Sequence, residues 1–301
     1  MSALPRACRR EPPPYTGAMQ KVFFAALLCL CAITARAQVN VEVVFEQAQF
    51  LRNESLPVRL RISNFSGQPL HLGGTDDWLE FTVVGMDGKS VGRRAELPPA
   101  RAFTIESSKT ISLSVDLMPC FNLGEPGRYN VSAKISVPQI GKTVGTDPNP
   151  FDIVTGTDLW AMDVGVPGTT PPVIRKYTLQ QATFLKQPRL YVRLTDETQT
   201  HVLRVLPIGN LLSFSKPEAL VDQSSNLHVL FQNGPRTFLY SVVTPAGDVI
   251  IRQSHDLDKT HPHLRSEDDG RVVVAGGERR FLLSDLPPPR VADSREKTES
   301  K

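Results

Sequence analysis

Apolar and polar residues alternate along several short stretches in the first half of the chain. The alternation runs through VNVEVVF at 39–45, VRLRIS at 58–63, TISLSVDL at 110–117 and YNVSAKI at 129–135. Because successive side chains of a strand point to opposite faces, each stretch predicts a strand with one buried and one wet face. An Asp-Gly pair at 87–88 provides the positive φ angles of a tight turn. We therefore expect residues 38–155 to form an antiparallel β-sandwich.

The second half of the chain contains a loose repeat. Its units begin at Gln187, Lys216 and His261, and each opens near a proline and continues with a short strand, an acidic turn and a β-branched strand. The spacing from Pro217 to Pro262 is 45 residues, which is close to the size of one propeller blade. Residues 175–285 are therefore predicted to form blade-like antiparallel β units, too few to close a propeller by themselves.

Composition suggests where these regions end. Residues 156–174 are rich in Pro, Gly, Thr and Asp, and the run from Pro167 to Pro172 does not fit a sheet interior. This segment is predicted to be a linker, with the boundary between two lobes at that run. Residues 286–301 have no apolar period and predict a disordered tail. The predicted fold class is all-β.

Parts of the sandwich region resemble a known family. LPVRLRISNFSGQPL at 56–70, DWLEFTVVGMDGKSV at 77–91 and GEPGRYNVSAKISV at 124–137 resemble bacterial immunoglobulin-like domains of the intracellular proteinase inhibitor type. The resemblance implies an immunoglobulin-like sandwich and, by analogy alone, protease inhibition. VDQSSNLHV at 221–229 resembles the turn between two strands of a propeller blade.

Residues 19–37 predict an export signal. Lys21 is followed by an apolar run, and Ala35-Arg36-Ala37 fits the small-x-small rule of signal peptidase. We therefore expect a mature chain that begins at Gln38 and resides in the periplasm or outside the cell. Residues 1–18 form an upstream extension, and the true start is left open between Met1 and Met19. A lipid anchor at Cys29 or Cys31 is disfavoured because a leucine precedes each cysteine.

Removing this leader changes the charge and the cysteine count. Residues 1–37 hold five Lys or Arg and one acid, so the remainder has 29 basic and 30 acidic residues and a formal net charge of −1. We expect no nucleic-acid partner and no membrane span after removal of the signal. Cys120 is then the single cysteine, which excludes an intramolecular disulfide and favours a small buried hydrophobic residue.

The densest set of metal-ligating residue types is SHDLDKTHPHL at 254–264. His255, Asp258, His261 and His263 are the candidate metal ligands. The alternative interpretation is a polar loop that connects two repeat units, and it is favoured because the spacing of strong zinc motifs is absent. His201 and His228 are predicted to lie on the outer faces of strands.

The sequence contains no H-E-x-x-H, P-loop or G-x-G-x-x-G motif. We therefore predict no catalytic residues and no cofactor. The predicted role is an exported, non-catalytic binding or structural module with a protein or glycan partner, and open sheet edges offer a route to oligomers. The alternatives are a metal-dependent enzyme or accessory protein that uses residues 255–263, and a protease inhibitor.

Overall fold

The computed structural model describes residues 39–212, 214–282 and Asp285, and within these ranges the chain is almost entirely β. The predicted leader at 1–37, which comprises the upstream extension and the signal, lies outside the described residues, and so does the predicted tail at 286–301. No helix in the described ranges has the length and hydropathy needed to cross a membrane.

The first lobe contains ten strands and two short 3₁₀ turns. In chain order the strands are β1 (Val39–Phe45), β2 (Gln49–Leu51), β3 (Pro57–Asn64), β4 (Leu70–Leu72), β5 (Leu79–Gly85), β6 (Phe103–Ile105), β7 (Thr110–Asp116), β8 (Gly127–Val137), β9 (Lys142–Gly145) and β10 (Asn149–Val154). The 3₁₀ turns are Asp76–Trp78 and Pro138–Ile140.

Eight of these strands form the two layers of a sandwich, and β4 and β6 pair with each other as a separate ribbon. One sheet has the order β1-β3-β7, and the other has the order β2-β10-β8-β5, with β9 on β8. The alternating stretches of the sequence pair in register, with Val41 opposite Ile62 and Ile62 opposite Ile111. Their apolar faces meet in one core. The prediction of an antiparallel sandwich is confirmed, apart from one parallel pair, β2 with β10.

Aromatic side chains fill one end of this core. Phe151 lies 5.4 Å from Phe45, 6.3 Å from Phe50 and 5.6 Å from Tyr129, measured between ring centroids. These rings come from β1, β2, β8 and β10, so the cluster ties the two sheets together. Cys120 is buried as predicted, and burial raises the pKa of its thiol.

The second lobe contains eleven strands in consecutive antiparallel units. They are β11 (Thr157–Gly165), β12 (Ile174–Phe184), β13 (Gln187–Asp196), β14 (Val202–Asn210), β15 (Glu218–Val221), β16 (Leu227–Gln232), β17 (Thr237–Val243), β18 (Val249–Asp256), β19 (His263–Ser266), β20 (Val272–Ala275) and β21 (Glu278–Arg280). The first meander is β11-β12-β13-β14, the second is β15-β16-β17-β18 with β21 at its edge, and β19-β20 is a hairpin.

The three units stack face to face. Tyr177 and Leu179 of the first meander share a core with Val229 and Phe231 of the second. The opposite face of the second meander packs against the β19-β20 hairpin, largely through Leu264. Within the described ranges the stacked sheets do not close into a ring. The predicted unit starts at Lys216 and His261 lie just before β15 and β19, whereas the predicted start at Gln187 falls within the first meander, at the beginning of its third strand.

The predicted linker at 156–174 is wrong. Residues 157–165 form β11, which pairs with β12 along most of its length, and Pro167 to Pro172 lie in the loop of that hairpin. Proline and glycine mark any exposed turn, whether it joins lobes or strands. β11 lacked an apolar period because it is an edge strand with one fully buried residue, Val164.

Proteolysis tests this correction. Cleavage within residues 166–173 should yield a nicked protein that stays together, because the β11-β12 pairing holds the two pieces in one sheet. Gel filtration under native conditions should give one peak, and denaturing electrophoresis should give two bands. Native separation of the pieces would mean that the lobes divide at this loop.

The two lobes meet through Leu51 of β2. This side chain packs in a small cluster with Ala182, Tyr191 and Val205 of the first meander. Arg189 Nη1 donates to Gln47 Oε1 across the junction at 2.9 Å. The chain passes between the lobes at residues 155–156, so the first meander is docked directly against the sandwich.

Candidate functional site

The structure does not bring the four candidate metal ligands into one group. His255 is buried in β18, whereas Asp258, His261 and His263 are exposed. The rings of His261 and His263 face backbone carbonyls, with His261 Nδ1 2.9 Å from Pro262 O and His263 Nδ1 3.1 Å from His261 O. In the part of the chain that the structure describes, no three His, Cys, Asp or Glu residues are grouped so that they could hold a metal ion.

His255 does not lie in a connecting loop, as the loop interpretation of residues 254–264 predicted, but in strand β18. This residue pairs with Phe238 of β17 and with Arg279 of β21, and its ring packs edge-on against Tyr240 at 6.3 Å. Burial and the neighbouring Arg279 lower the pKa of His255, and Asp285 opposes them only partly. The folded protein therefore holds this imidazole in its neutral form.

The lowered pKa of His255 predicts a pH dependence of stability. Unfolding exposes an imidazole with the ordinary pKa of 6.5. Below that pH the His255 imidazole therefore binds a proton in the unfolded chain more readily than in the folded chain. The stability that the neutral His255 contributes is fully present above pH 6.5, and it is lost as the pH falls toward the lowered pKa of His255. Urea titrations from about pH 7.5 to about pH 5.5 should show a steeper loss for wild type than for His255→Gln. The exposed variant His261→Gln should behave as wild type; parallel curves for wild type and His255→Gln would contradict the assignment.

A second histidine forms a buried network that the sequence did not reveal. His228 lies 2.6 Å from the Tyr240 hydroxyl through Nδ1 and 3.0 Å from Asp222 Oδ2 through Nε2. The prediction that His228 lies on an outer face is wrong, since only 6% of the residue is exposed. His201 is exposed.

Neighbouring groups set the proton positions in this network. Because the Asp222 carboxylate accepts, Nε2–H of a neutral His228 donates to it and Nδ1 accepts from the Tyr240 hydroxyl. Burial acts to raise the pKa of Asp222, but hydrogen bonds from Asn226 and His228 outweigh it and hold that pKa below the ordinary value. Burial raises the pKa of Tyr240 to about 12.

The tyrosine end of the network is buried. Tyr240 belongs to the core formed by the second meander and the β19-β20 hairpin, and 5% of the residue is exposed. A Tyr–His–Asp chain can transfer a proton when its hydroxyl meets a substrate. Here the hydroxyl faces only packed side chains, so the arrangement serves to fix β16, β17 and the turn at Asp222.

An accessible group of polar side chains lies at the junction of the two lobes. They line a cleft of about 460 Å³ that is formed by Leu51, Arg52, Thr155, Gly156, Asp158, Thr178, Gln180, Arg193 and Gln199. The sheet register explains the grouping: Gln180 lies opposite Asp158 in β11, and Thr178 lies opposite Arg193 in β13. These residues share one face of the first meander, beside the patch that Leu51 covers.

Gln180, which lines this cleft, has an unpaired and inaccessible side-chain oxygen. Its Nε2 donates to Asp158 Oδ1 at 2.7 Å, which fixes the orientation of the amide. The residue is 8% exposed, and its Oε1 has no hydrogen-bond donor within the described chain. An unpaired buried acceptor costs free energy unless something else donates to it.

The charges in the cleft are unbalanced. Burial and repulsion from Arg52 lower the pKa of Arg193, and Asp158 offsets this only in part. Arg193 forms no ion pair with the carboxylates of the described residues. Arg52 faces Glu125 loosely, at 3.7 Å on the protein surface. Two guanidinium groups thus share a cleft that contributes one carboxylate.

Sequence reasoning missed this site because its residues come from four separate segments. No local spacing connects Arg52 with Asp158, Gln180 and Arg193. The one available signal was the polar sequence of Gln180 and Gln181 within a strand of the predicted blade-like region. The group is brought together by the pairing of β11, β12 and β13 and by the packing of Leu51 against the first meander.

Comparisons with known proteins identify no relative. No family model matches the chain, and no curated protein matches it. The alkylpurine DNA glycosylase AlkC of Pseudomonas fluorescens, bound to DNA containing an abasic site analog, aligns with a TM-score of 0.26 at 15% identity, over 47% of this chain and 39% of the glycosylase chain. The Bacillus subtilis sporulation control protein Spo0M aligns with a TM-score of 0.28 at 11% identity, over 65% of this chain and 80% of the other. Both superpositions are too distant to carry an argument about function.

Proposed function

We propose that this protein is an exported, non-catalytic binding module that holds its ligand in the cleft between its two lobes. The first lobe is assigned as an immunoglobulin-like sandwich and the second as blade-like β units. The parallel pairing of β2 with β10 and the successive meanders support these assignments. The proposed compartment is the periplasm or the extracellular space.

The observation that carries the proposal is the open polar cleft between the lobes, in which Arg193 is half-buried without an ion pair among the described residues and Arg52 lies nearby. Ligand sites commonly lie where domains meet and combine apolar walls with a few convergent polar groups. Here Leu51 and Gly156 form part of the wall, and Gln180, Arg52 and Arg193 converge. A bound ligand supplies the partner that Arg193 does not find among the described residues.

The same geometry favours binding over catalysis. The described residues contain one hydrogen-bonded Tyr–His–Asp chain, and its hydroxyl is buried away from this cleft. Within the cleft, Asp158 is exposed and has no histidine among the lining residues to act with it. General acid–base chemistry requires a titratable group within hydrogen-bond reach of the substrate.

Export is tested by sequencing the N-terminus of the protein purified from its native host. Gln38 is expected, because cleavage after Ala37 places small residues at the positions that signal peptidase reads. Met1 or Met19 at the N-terminus would contradict export by this signal.

Binding is tested by screening the purified protein against panels of soluble glycans and envelope proteins. Wild type and Arg101→Met should bind the same ligand, since Arg101 is an exposed arginine outside the cleft. The bound ligand should be recovered without chemical change. Arg193→Met should lose it, because the variant keeps the side-chain stem but removes the charge. Retention by all three proteins would place the ligand elsewhere, and turnover of the ligand would refute a non-catalytic role.

A further inference from the structure

We infer that two copies of this chain join through the free edge of β7, which pairs antiparallel with β7 of the second copy. In this pairing Ser112 lies opposite the partner's Ser112. The inference concerns an interaction surface of the first lobe, and it does not rest on ligand binding in the cleft between the lobes.

The free edge of β7 presents backbone groups that have no backbone partner among the described residues. β7 is the end strand of the β1-β3-β7 sheet. Just before it, Asn64 N donates to Lys109 O, so the backbone groups of odd-numbered residues in this strand face β3. The N–H and C=O groups of three even-numbered residues therefore point away from the sheet: Thr110, Ser112 and Ser114. An added strand would give these groups their partners.

The core-facing side of β7 is also incompletely covered. Three of its apolar side chains are half-buried, although the β3 residues opposite them are inaccessible to solvent: Ile111, Leu113 and Val115, opposite Ile62, Leu60 and Val58. At the other edge of the same sheet, the core-facing valines of β1 are buried. A strand beside β7 would remove further apolar surface from water, which favours association.

A cavity of about 220 Å³ lies beside this edge. Leu113 and Val115 of β7 line one part of it, and Trp78 and Leu97 line another. In the inferred pairing the partner's Ile111 lies opposite Leu113 and points to the same face of the sheet. Its aliphatic side chain therefore extends toward this largely apolar cavity.

β7 lacks the features that commonly protect the edge of a sheet. Edge strands are usually blocked by charged residues, proline, bulges or shortness. From Thr110 to Val115 the strand has no charge and no proline, and its register with β3 is unbroken. By contrast, the edge strand β11 carries Asp158, Asp163 and a bulge, and the edge strand β14 carries Pro207. An unprotected edge of this length favours pairing with another strand.

The strand is complementary to itself, which favours a second copy as the partner. With Ser112 opposite the partner's Ser112, all three free-edge residues pair with one another, since Thr110 lies opposite the partner's Ser114. The hydroxyl groups then align on the solvent face, where Thr–Ser pairs stabilise neighbouring strands. On the core face, Ile111 lies opposite the partner's Leu113. One two-fold axis at Ser112 thus satisfies both faces.

Light scattering after gel filtration tests whether the purified protein is a dimer. Wild type should have twice the mass of one chain and should dissociate on dilution, because the paired segment is short. Ser112→Lys should be monomeric where wild type is dimeric, since it places two ammonium groups opposite each other. Ser224→Lys adds the same charge in an exposed turn of the second lobe and should remain dimeric. A thermal melt checks that each variant is folded.

Cysteine cross-linking tests the register independently of the lysine variant. Ser112→Cys should form an intermolecular disulfide under mild oxidation, because hydrogen-bonded opposite residues lie about 5.5 Å apart between Cα atoms, within disulfide range. Ser114→Cys is the matched control on the same edge: in this register its two copies are offset by about 13 Å along the strands. Non-reducing electrophoresis should show cross-linked dimer for Ser112→Cys, but not for Ser114→Cys or wild type.

Three results would overturn the inference. The first is a wild-type protein that stays monomeric from micromolar to hundreds of micromolar concentration. The second is a dimer that Ser112→Lys does not dissociate and Ser112→Cys does not cross-link, which would place the interface elsewhere. The third, cross-linking of Ser114→Cys in place of Ser112→Cys, would overturn the register. Ligand binding in the cleft is tested separately by Arg193→Met, so the two proposals can fail independently.

Discussion

Replacing Phe151 by alanine should lower the free energy of unfolding by about 3–5 kcal/mol, the usual cost of removing a buried aromatic ring. Phe151 is almost fully buried and lies against three other aromatic rings from three strands. Its strand, β10, also pairs with both β2 and β8, so a cavity here loosens the end of the sandwich. Urea unfolding followed by circular dichroism measures the change.

Phe65 provides the control for this prediction. It is 58% exposed in the same lobe, and Phe65→Ala should change the free energy of unfolding by no more than about 0.5 kcal/mol. Similar losses in the two variants would mean that the aromatic cluster does not form the core of the first lobe.

Tyr177→Ala should destabilise the second lobe by a comparable amount, about 3–5 kcal/mol. The ring is fully buried between the first and second meanders, and its hydroxyl lies 3.2 Å from Ser225 O and 3.1 Å from Val243 O. Tyr177→Phe isolates the hydroxyl: it keeps the ring and leaves these carbonyls without their donor, at a cost of about 1–3 kcal/mol.

The same urea titrations measure both Tyr177 variants. The order wild type, Tyr177→Phe, Tyr177→Ala is expected from most to least stable. An alanine variant as stable as wild type would show that the two meanders do not share a core.

The local patterns of the first lobe were sufficient to predict its layers. The alternation at 39–45, 58–63, 110–117 and 129–135 marks the face that each strand buries. Those buried faces are the ones that two packed sheets bring together, so the pattern predicts the two layers. The parallel pair β2–β10 was not predictable in this way, because Gln49–Leu51 is three residues long and its partner lies about 100 residues further along the chain. β11 was not predicted either, because an edge strand with few buried residues shows little alternation of apolar and polar side chains.

Polar residues were harder to interpret than apolar ones. His228 and His255 look alike in sequence to the exposed His261, and only packing of the β19-β20 hairpin and the pairing with β21 buries them. The cleft could not be predicted from the sequence for the same reason. Arg52 and Arg193 lie near each other because Leu51 of the first lobe packs against the first meander of the second. A function that depends on contacts between lobes leaves no local motif.

Binding in the cleft is tested most directly by the side-chain amide resonance of Gln180. Its NMR signal is assigned by its disappearance in Gln180→Met, and it is followed as the ligand retained in the panel screen is added to the wild-type protein. The expected result is a shift that saturates with the dissociation constant found by calorimetry, because a ligand in the cleft changes the surroundings of the Gln180 side chain that lines it. A ligand that binds while this resonance stays unchanged would contradict the interlobe cleft as its site.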